Sequence, residues 1–407
     1  MENRYDKYKD SGIAWIGEIP EHWEVKKGKN LFKKEERPVR DNDEIVTCFR
    51  DGEVTLRSNR RIDGFTNAMK EVGYQGVRRG DLVIHNMDAF AGAIGVSDSD
   101  GKSTPVYSVC TPKNNVEANV YYYAYLLRSY ALGGVIQSLA KGIRERSTDF
   151  RYKEFGDLYY QQPPIEEQQS IASYLDQKCG EIDKLITLQE EMITKLQSYK
   201  QSVITEAVTK GLDKNVPLKD SGIEWIGEIP EHWSVVKIKY LAKIKSGDSI
   251  SSNEIMQEGI YEVYGGNGLM GFCNKKNVDG VNIIIGRVGA LCGNVRLISE
   301  SKFITDNALI LNCFDNALYS YMYIMLKAAN LNNLNTSNAQ PLITSSKVLN
   351  VSLPIPPLSE QQSIANYLDQ KCSEIDELIS IKQQKIEKLK DYKKSLIFEC
   401  VTGKRKV

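Results

Sequence analysis

Residues 168–177 read QQSIASYLDQ, and residues 361–370 read QQSIANYLDQ. Each copy opens a charged run with an apolar stripe, reaching about Leu212 in the first and about Gly403 in the second. In the first run Ile182, Leu185, Ile186, Met192, Ile193, Leu196, Tyr199 and Val203 recur at three- and four-residue steps. In the second, Ile375, Leu378, Ile379, Ile386, Leu389, Tyr392 and Leu396 do the same. That period lines up one face of a helix. Proline breaks neither run, and Gly180 is the one glycine inside them ahead of Gly211 and Gly403 at their ends. At 1.5 Å per residue each helix spans roughly 60 Å. Rods of that length exceed what a small core needs, and they can bury their stripes against each other as a coiled coil.

A second duplication frames the first. Asp10–Trp23 is DSGIAWIGEIPEHW and Asp220–Trp233 is DSGIEWIGEIPEHW. The offset is 220 − 10 = 210 here and 361 − 168 = 193 for the helices. The stretches between clip and helix, about 24–164 and 234–357, therefore differ in length, and they share little sequence. A period near 200 residues is a pair of domains in a duplicated frame, since solenoid periods run to roughly 50. The clip mixes Gly and Pro with apolar residues and reads as extended and turn-rich. Trp15, Trp23, Trp225 and Trp233 are the only tryptophans. They are expected to plug the base of each insert, a partner contact being the other reading.

The inserts read as short strands separated by turns. In the first these are EIVTCFR, GEVTLR, GDLVIHNM, AIGVSDSDG and TPVYSVCTP, with a helix over 119–132. In the second they are KIKSGDSI, YEVYGGNGLMGF, VNIIIGRVGALCGNV and FITDNALILN, with a helix over 317–329. Each insert closes on a polar loop, a strand and Pro-Pro. The expected fold is mixed α/β: two globular domains joined by two long coiled-coil helices in a pseudo-twofold layout. The boundaries read as 1–164 for the first clip and domain, 165–212 for the central helix, 213–357 for the second clip and domain, and 358–407 for the last helix.

Composition narrows the function. No apolar run approaches the ~18 residues of a membrane span. The start, MENRYDKYKDSG, is too polar for a secretory signal. Eight cysteines stand singly, without a C-x-x-C pair, as reduced thiols in a cytoplasmic protein do. The formal net charge of zero excludes a polycationic tail but permits local basic faces. Gly101-Lys102-Ser103-Thr104 resembles the end of a phosphate loop, yet Val96 stands where the first glycine is required. The glycines at 265–268 and 286–293 do not form G-x-G-x-x-G opening a helix. The Pro-Pro pairs lack the aromatic residue of an amino-methyltransferase motif. With three histidines, no ligand-spaced cluster and no nucleophile–base set, the chain reads as a non-catalytic recognition protein.

The polar clusters of the inserts suit nucleic acid. Arg57, Asn59, Arg60 and Arg61 follow one strand, Arg78 and Arg79 precede another, and Arg144, Arg146 and Arg151 gather before the last. The second insert offers Asn267, Lys275, Lys276, Arg287, Asn338 and Gln340. Arg and Lys suit guanine O6 and N7, Asn and Gln suit adenine, and the remainder neutralise phosphates. Any one of them alone also reads as a solvated surface charge.

The paired W-I-G-E-I-P-E-H-W clips, the two P-P-[IL]-x-E-Q-Q-x-I-A-x-Y-L-D helix starts and the unlike inserts together resemble the specificity subunit of type I restriction–modification systems, over essentially the whole chain. The resemblance implies two target recognition domains, each reading half of a split double-stranded DNA site. It implies that the long helices pack antiparallel, set the spacing between the domains and bind two methyltransferase subunits, and that two restriction subunits join for cleavage. Ile182, Leu185, Ile193 and Leu196, with Ile375, Leu378, Ile386 and Leu389, are the expected coiled-coil and partner interface. S-adenosylmethionine, ATP and Mg²⁺ are expected on the partners, and no cofactor or metal on this chain. A coiled-coil scaffold whose inserts bind protein, and an enzyme in its own right, are the competing readings.

Overall fold

The computed structural model describes residues 4–60, 72–139, 149–289, 291–335 and 341–407. The chain folds as two compact units, one made of residues 1–189 with 384–407 and the other of residues 190–383. The lines between them fall inside the two long helices, Ile165–Lys210 and Leu358–Val401. Each unit therefore holds one clip, one insert domain and a segment of each helix.

In unit 1 the central sheet has strands β1 (Phe32–Lys34), β2 (Leu82–His85), β3 (Ile94–Val96) and β4 (Tyr107–Pro112). Their order is β1-β4-β2-β3, and each neighbouring pair is antiparallel. The sheet divides two cores, because successive side chains of a strand point to opposite faces. Leu82 and Ile84 pack with the domain helix Val120–Leu132 and with the long-helix residues Ile171, Leu175 and Leu396. Val83, between them, packs with Val46, Val54 and Val77 of the small hairpins on the other face. Asn119 caps the domain helix, its side chain accepting from the backbone N–H groups of Tyr121 and Tyr122. Gly101–Ser103 pairs as a strand with Gln75–Val77, so the phosphate-loop look-alike is sheet.

Unit 2 repeats the plan. Strands β5 (Ala242–Ser246), β6 (Tyr261–Gly265), β7 (Gly268–Cys273), β8 (Asn282–Gly286), β9 (Val295–Ile298) and β10 (Ala308–Cys313) form two sheets. The central one has the order β5-β10-β8-β9, and the hairpin β6–β7 lies in the other. Ile283 and Ile285 face the domain helix Tyr319–Ala328 and the long helices, whereas Ile284 faces the second layer. Tyr122 and Tyr321 hold matching posts: both are buried, and their hydroxyls donate to the long-helix carbonyls of Val401 and Val208.

The clips explain why the frame is duplicated. Tyr8–Asp10 pairs with Glu18–Pro20, and Leu218–Asp220 with Glu228–Pro230. Trp23 and Trp233 are buried, while Trp15 and Trp225 are largely exposed, so only the second tryptophan of each clip is a plug. Trp23 Nε1 donates to Glu167 Oε2 at 2.9 Å, and His22 Nε2 lies 2.6 Å from Oε1 of the same carboxylate. Trp233 and His232 meet Glu360 in the same way, at 3.0 and 2.7 Å. Glu167 and Glu360 sit in the first turns of the long helices, where a carboxylate also complements the helix dipole. One residue on, Gln168 and Gln361 donate from Nε2 to the carbonyls of Pro163 and Pro356, each at 2.8 Å. At the far ends Gly211 and Gly403 adopt left-handed φ of +75° and +73°. A Cβ on Gly211 would lie 3.2 Å from Trp233, and one on Gly403 would lie 2.4 Å from Pro20. Each clip thus clasps the start of one long helix and the end of the other.

Within each unit the helix segments run antiparallel. In unit 1 Asp183 pairs with Lys393 at 2.7 Å, and further along Arg405 lies beside Tyr174. In unit 2 Lys200 pairs with Asp376 at 2.6 Å. The two ion pairs are related by the repeat itself, 376 − 183 and 393 − 200 both giving 193. The seam differs from the expected set. Ile182 and Ile375 are buried, as is Ile386, and Ile193, Leu196 and Leu389 are half-buried. Leu185 and Leu378, however, are 45% and 46% exposed. Three residues turn a helix by about 300°. That step carries Leu185 off the seam, and the four-step neighbours Ile186 and Ile379 stay on it, half-buried.

Candidate nucleic-acid interface

The sheet brings the loops after β2 and β8 to equivalent places. Phe150 N–H donates to Asn86 O at 3.0 Å in unit 1, and Ile343 N–H donates to Arg287 O at 2.9 Å in unit 2. The segment returning to the long helix is thereby tied beside the loop that follows a central strand. A polar, loop-rich end results in each unit.

In unit 1 this end gathers Arg57, Tyr107, His85, Met87 and Arg151. Arg57 donates from Nε to Thr47 Oγ1 at 3.3 Å, and its charge acts on Tyr107, whose hydroxyl pKa burial raises far above its usual range. His85 meets Tyr107 edge-on with ring centroids 4.7 Å apart. Its Nδ1 accepts the backbone N–H of Asp88, leaving the proton of the neutral ring on Nε2. Burial lowers the pKa of His85, against the pull of the Asp88 carboxylate, so the ring is neutral at physiological pH. Asp88 in turn pairs with Arg50 at 2.8 Å. A cavity of about 700 Å³ opens alongside, with Lys34, Met87, Tyr107, Asp149, Arg151 and Lys153 in its wall. Arg151 is well exposed and pairs with Asp149 at 2.5 Å.

The remaining candidates of the first insert divide. Arg78 is spent inside the domain: Nη1 donates to the Asp43 carboxylate at 3.1 and 3.2 Å, to Val77 O at 2.7 Å and to Gly101 O at 3.0 Å. It is a structural cation. Its neighbour Arg79 is exposed, and among the described residues only its backbone N–H is held, by Asp100 Oδ1. Arg60 lies 4.2 Å from the Phe49 ring and pairs with Asp51 at 2.5 Å and Glu53 at 3.0 Å. Asn59 donates to Thr55 Oγ1 at 2.9 Å. Arg61, Arg144 and Arg146 lie outside the described residues, as do Asn338 and Gln340 of the second insert.

In unit 2 Asn267 and Arg287 converge. Arg296 braces the carbonyl of Asn267 at 2.9 Å, at the tip of the β6–β7 hairpin. Arg287 N–H donates to Asn307 O at 2.9 Å, and a Cβ on Gly266 would come within 2.7 Å of that same oxygen. Arg287 Nη1 reaches Ser246 Oγ at 3.4 Å, and its buried Nε has no partner among the described residues. Lys275 and Lys276 lie at the other end of the hairpin and are neutralised locally, by Glu254 at 2.7 Å and Asp279 at 2.5 Å. Sequence reasoning passed over His85, Arg50 and Arg296. His85 ends a strand reading GDLVIH, and the loop after a central strand is the signal that points to it.

Among the described residues no helix is long and apolar enough to cross a membrane. Each unit thus carries a polar end on a repeated frame, and the two ends are unlike. Residues 230–391 match the family model for the Type I restriction modification DNA specificity domain. A chain of Methanocaldococcus jannaschii, provisionally named the type I restriction enzyme MjaX specificity subunit, is 27% identical across 96% of both chains. The EcoprrI specificity subunit of Escherichia coli is 33% identical over 32% of this chain and 33% of its own. Among solved structures, a chain from a study of assembly and conformational transition of the type I R-M system aligns with a TM-score of 0.74 at 17% identity, over 94% of this chain and 98% of its own. The HsdS subunit of Thermoanaerobacter tengcongensis aligns with a TM-score of 0.54 at 17% identity, over 95% and 98%. Across nearly its whole length the chain is thus similar to specificity subunits of type I restriction–modification systems.

Proposed function

We propose that this chain selects the DNA sequence for a type I restriction–modification complex, with each unit reading one half of a split site. The supporting observation is the pairing of a repeated frame with unlike reading ends. The Glu–His–Trp clasp, the sheet order and the helix ion pair recur in both units. The reading ends do not: unit 1 offers Arg57, His85 and Arg151, and unit 2 offers Asn267 and Arg287, with Arg296 bracing the turn between them. Duplicated scaffolds with different polar ends suit a protein that reads two different short sequences.

In this reading the chain is non-catalytic and cytoplasmic, and two modification and two restriction subunits carry S-adenosylmethionine, Mg²⁺ and ATP. Exposed apolar residues on the long helices suit those partners. Leu185, Leu188 and Tyr392 lie exposed in unit 1, and Leu378, Ile381 and Tyr199 in unit 2, matched by the 193-residue offset (378 − 185). Co-expression with a modification subunit, pull-down and mapping of methylated adenines test the proposal. A split motif methylated in both halves is expected. Retention of no partner, absence of any motif, or methylation by this chain alone would sink it.

A further inference from the structure

The tip of the β6–β7 hairpin exposes two large apolar side chains, Leu269 at 52% and Met270 at 51%. Their exposure adds nothing to folding, and the backbone beneath them is held in conformations that resist relaxation. The hairpin ladder shifts register at Val263/Tyr264, a bulge that twists the ribbon. Gly268 and Gly271, on either side of the pair, have φ of +126° and +146°, open to glycine and strained for other residues. A Cβ on Gly265 would sit 2.6 Å from Met270 Sδ, so the thioether lies across that glycine. Behind the tip, Arg296 holds the carbonyls of Gly266 and Asn267 at 3.4 and 2.9 Å. Gly286 lets the ribbon close on β8, since a Cβ there would be 2.6 Å from Gly266 O.

A two-stranded ribbon fits the major groove, where the one apolar group on a base edge is the thymine 5-methyl. Asn267, in the same turn, offers an amide suited to adenine. Asp306, exposed next to Asn307, whose carbonyl faces Gly266, offsets part of the positive charge that Arg287 and Arg296 bring to this end. We propose that Leu269 and Met270 read the 5-methyl group of a thymine in the half-site of unit 2. The inference rests on the sequence-reading role proposed above and names the element and the chemistry by which this half is read.

The test uses the assembled complex with its modification subunits and a duplex carrying the mapped site. Each thymine of the unit 2 half-site is replaced in turn by uracil, which removes only the methyl. At one position the wild type should bind about 4-fold more weakly, the worth of one buried methyl-sized group. Leu269→Ser with Met270→Ser should bind the thymine duplex correspondingly less well and lose the difference between thymine and uracil. Leu269→Met should keep the difference, and an unchanged melting temperature for the double variant reports an intact fold. The inference is overturned if no uracil position weakens binding. It is equally overturned if the serine variant keeps the wild-type thymine preference, loses affinity equally on every sequence, or fails to retain modification subunits. Failure of the wild-type complex to prefer any site would instead overturn the underlying reading.

Discussion

Arg78 and Arg79 are adjacent and have opposite roles. Arg78 faces the buried Asp43 carboxylate, and removing it leaves that charge without its partner. Arg78→Ala should cost about 3–5 kcal/mol in chemical denaturation, while Arg79→Ala should stay within about 0.5 kcal/mol of wild type. Equal costs would show that the Asp43 pair does not hold the domain. The sequence gives both the same letter in the same turn; only the direction of the backbone before β2 separates them. Glu167 carries a pH signature. Burial pushes its pKa upward, but hydrogen bonds from Trp23, Tyr5 and His22 outweigh that and hold it below the usual glutamate range. A depressed folded pKa contributes stability above the unfolded value, near 4.3, and loses it as pH falls through the folded one. Glu167→Gln should therefore cost about 1–2 kcal/mol at pH 7. The gap to wild type should stay level down to about pH 5 and narrow below ~4. Melting curves across pH check this, and a gap that widens in acid would refute the clasp.

The long helices were legible as elements, and their seam was legible only in part. Period counting ranks Leu185 with Ile182 and Ile186, because apolar residues occupy more of the circumference than one partner covers. Packing chooses among them. Ile182→Ala should cost about 2–4 kcal/mol, as buried branched side chains do. Leu185→Lys should leave stability within about 0.5 kcal/mol and instead weaken retention of modification subunits. Comparable destabilisation by both would restore Leu185 to the seam; undiminished retention would remove it from the partner face. Most strands of the inserts were also readable, from β-branched runs bounded by Gly, Asp or Pro. The pair Gln75–Val77 and Gly101–Ser103 was not, since Gly-Lys-Ser has no strand signature and is ordered by the partner strand. The reading ends were least legible. Which Arg is free and which is paired depends on carboxylates brought from far along the chain, such as Asp43 to Arg78 and Glu254 to Lys275.

At the scale of the whole molecule, the duplicated frame does not divide the chain into consecutive domains. Residues 384–407 complete unit 1, supplying the buried Leu396, Cys400 and Val401 and the carbonyl that accepts from Tyr122. Unit 2 is built from a continuous stretch, 190–383. A variant ending at residue 383 should lose protection in 1–189 first. Limited proteolysis read by mass spectrometry should find 190–383 the more resistant. Equal resistance of both would show that the returning helix segment is dispensable to unit 1.

The same closure fixes an order of events during synthesis. The half of the protein that leaves the ribosome first waits for residues 384–407 before its core can seal, while the later half has all of its residues once residue 383 has emerged. Newly made unit 1 must wait through the synthesis of residues 190–383 with the Pro20 side of its clasp, where Gly403 seats, open to whatever apolar surface it meets. The nascent chain is therefore most exposed to misassembly in its oldest part.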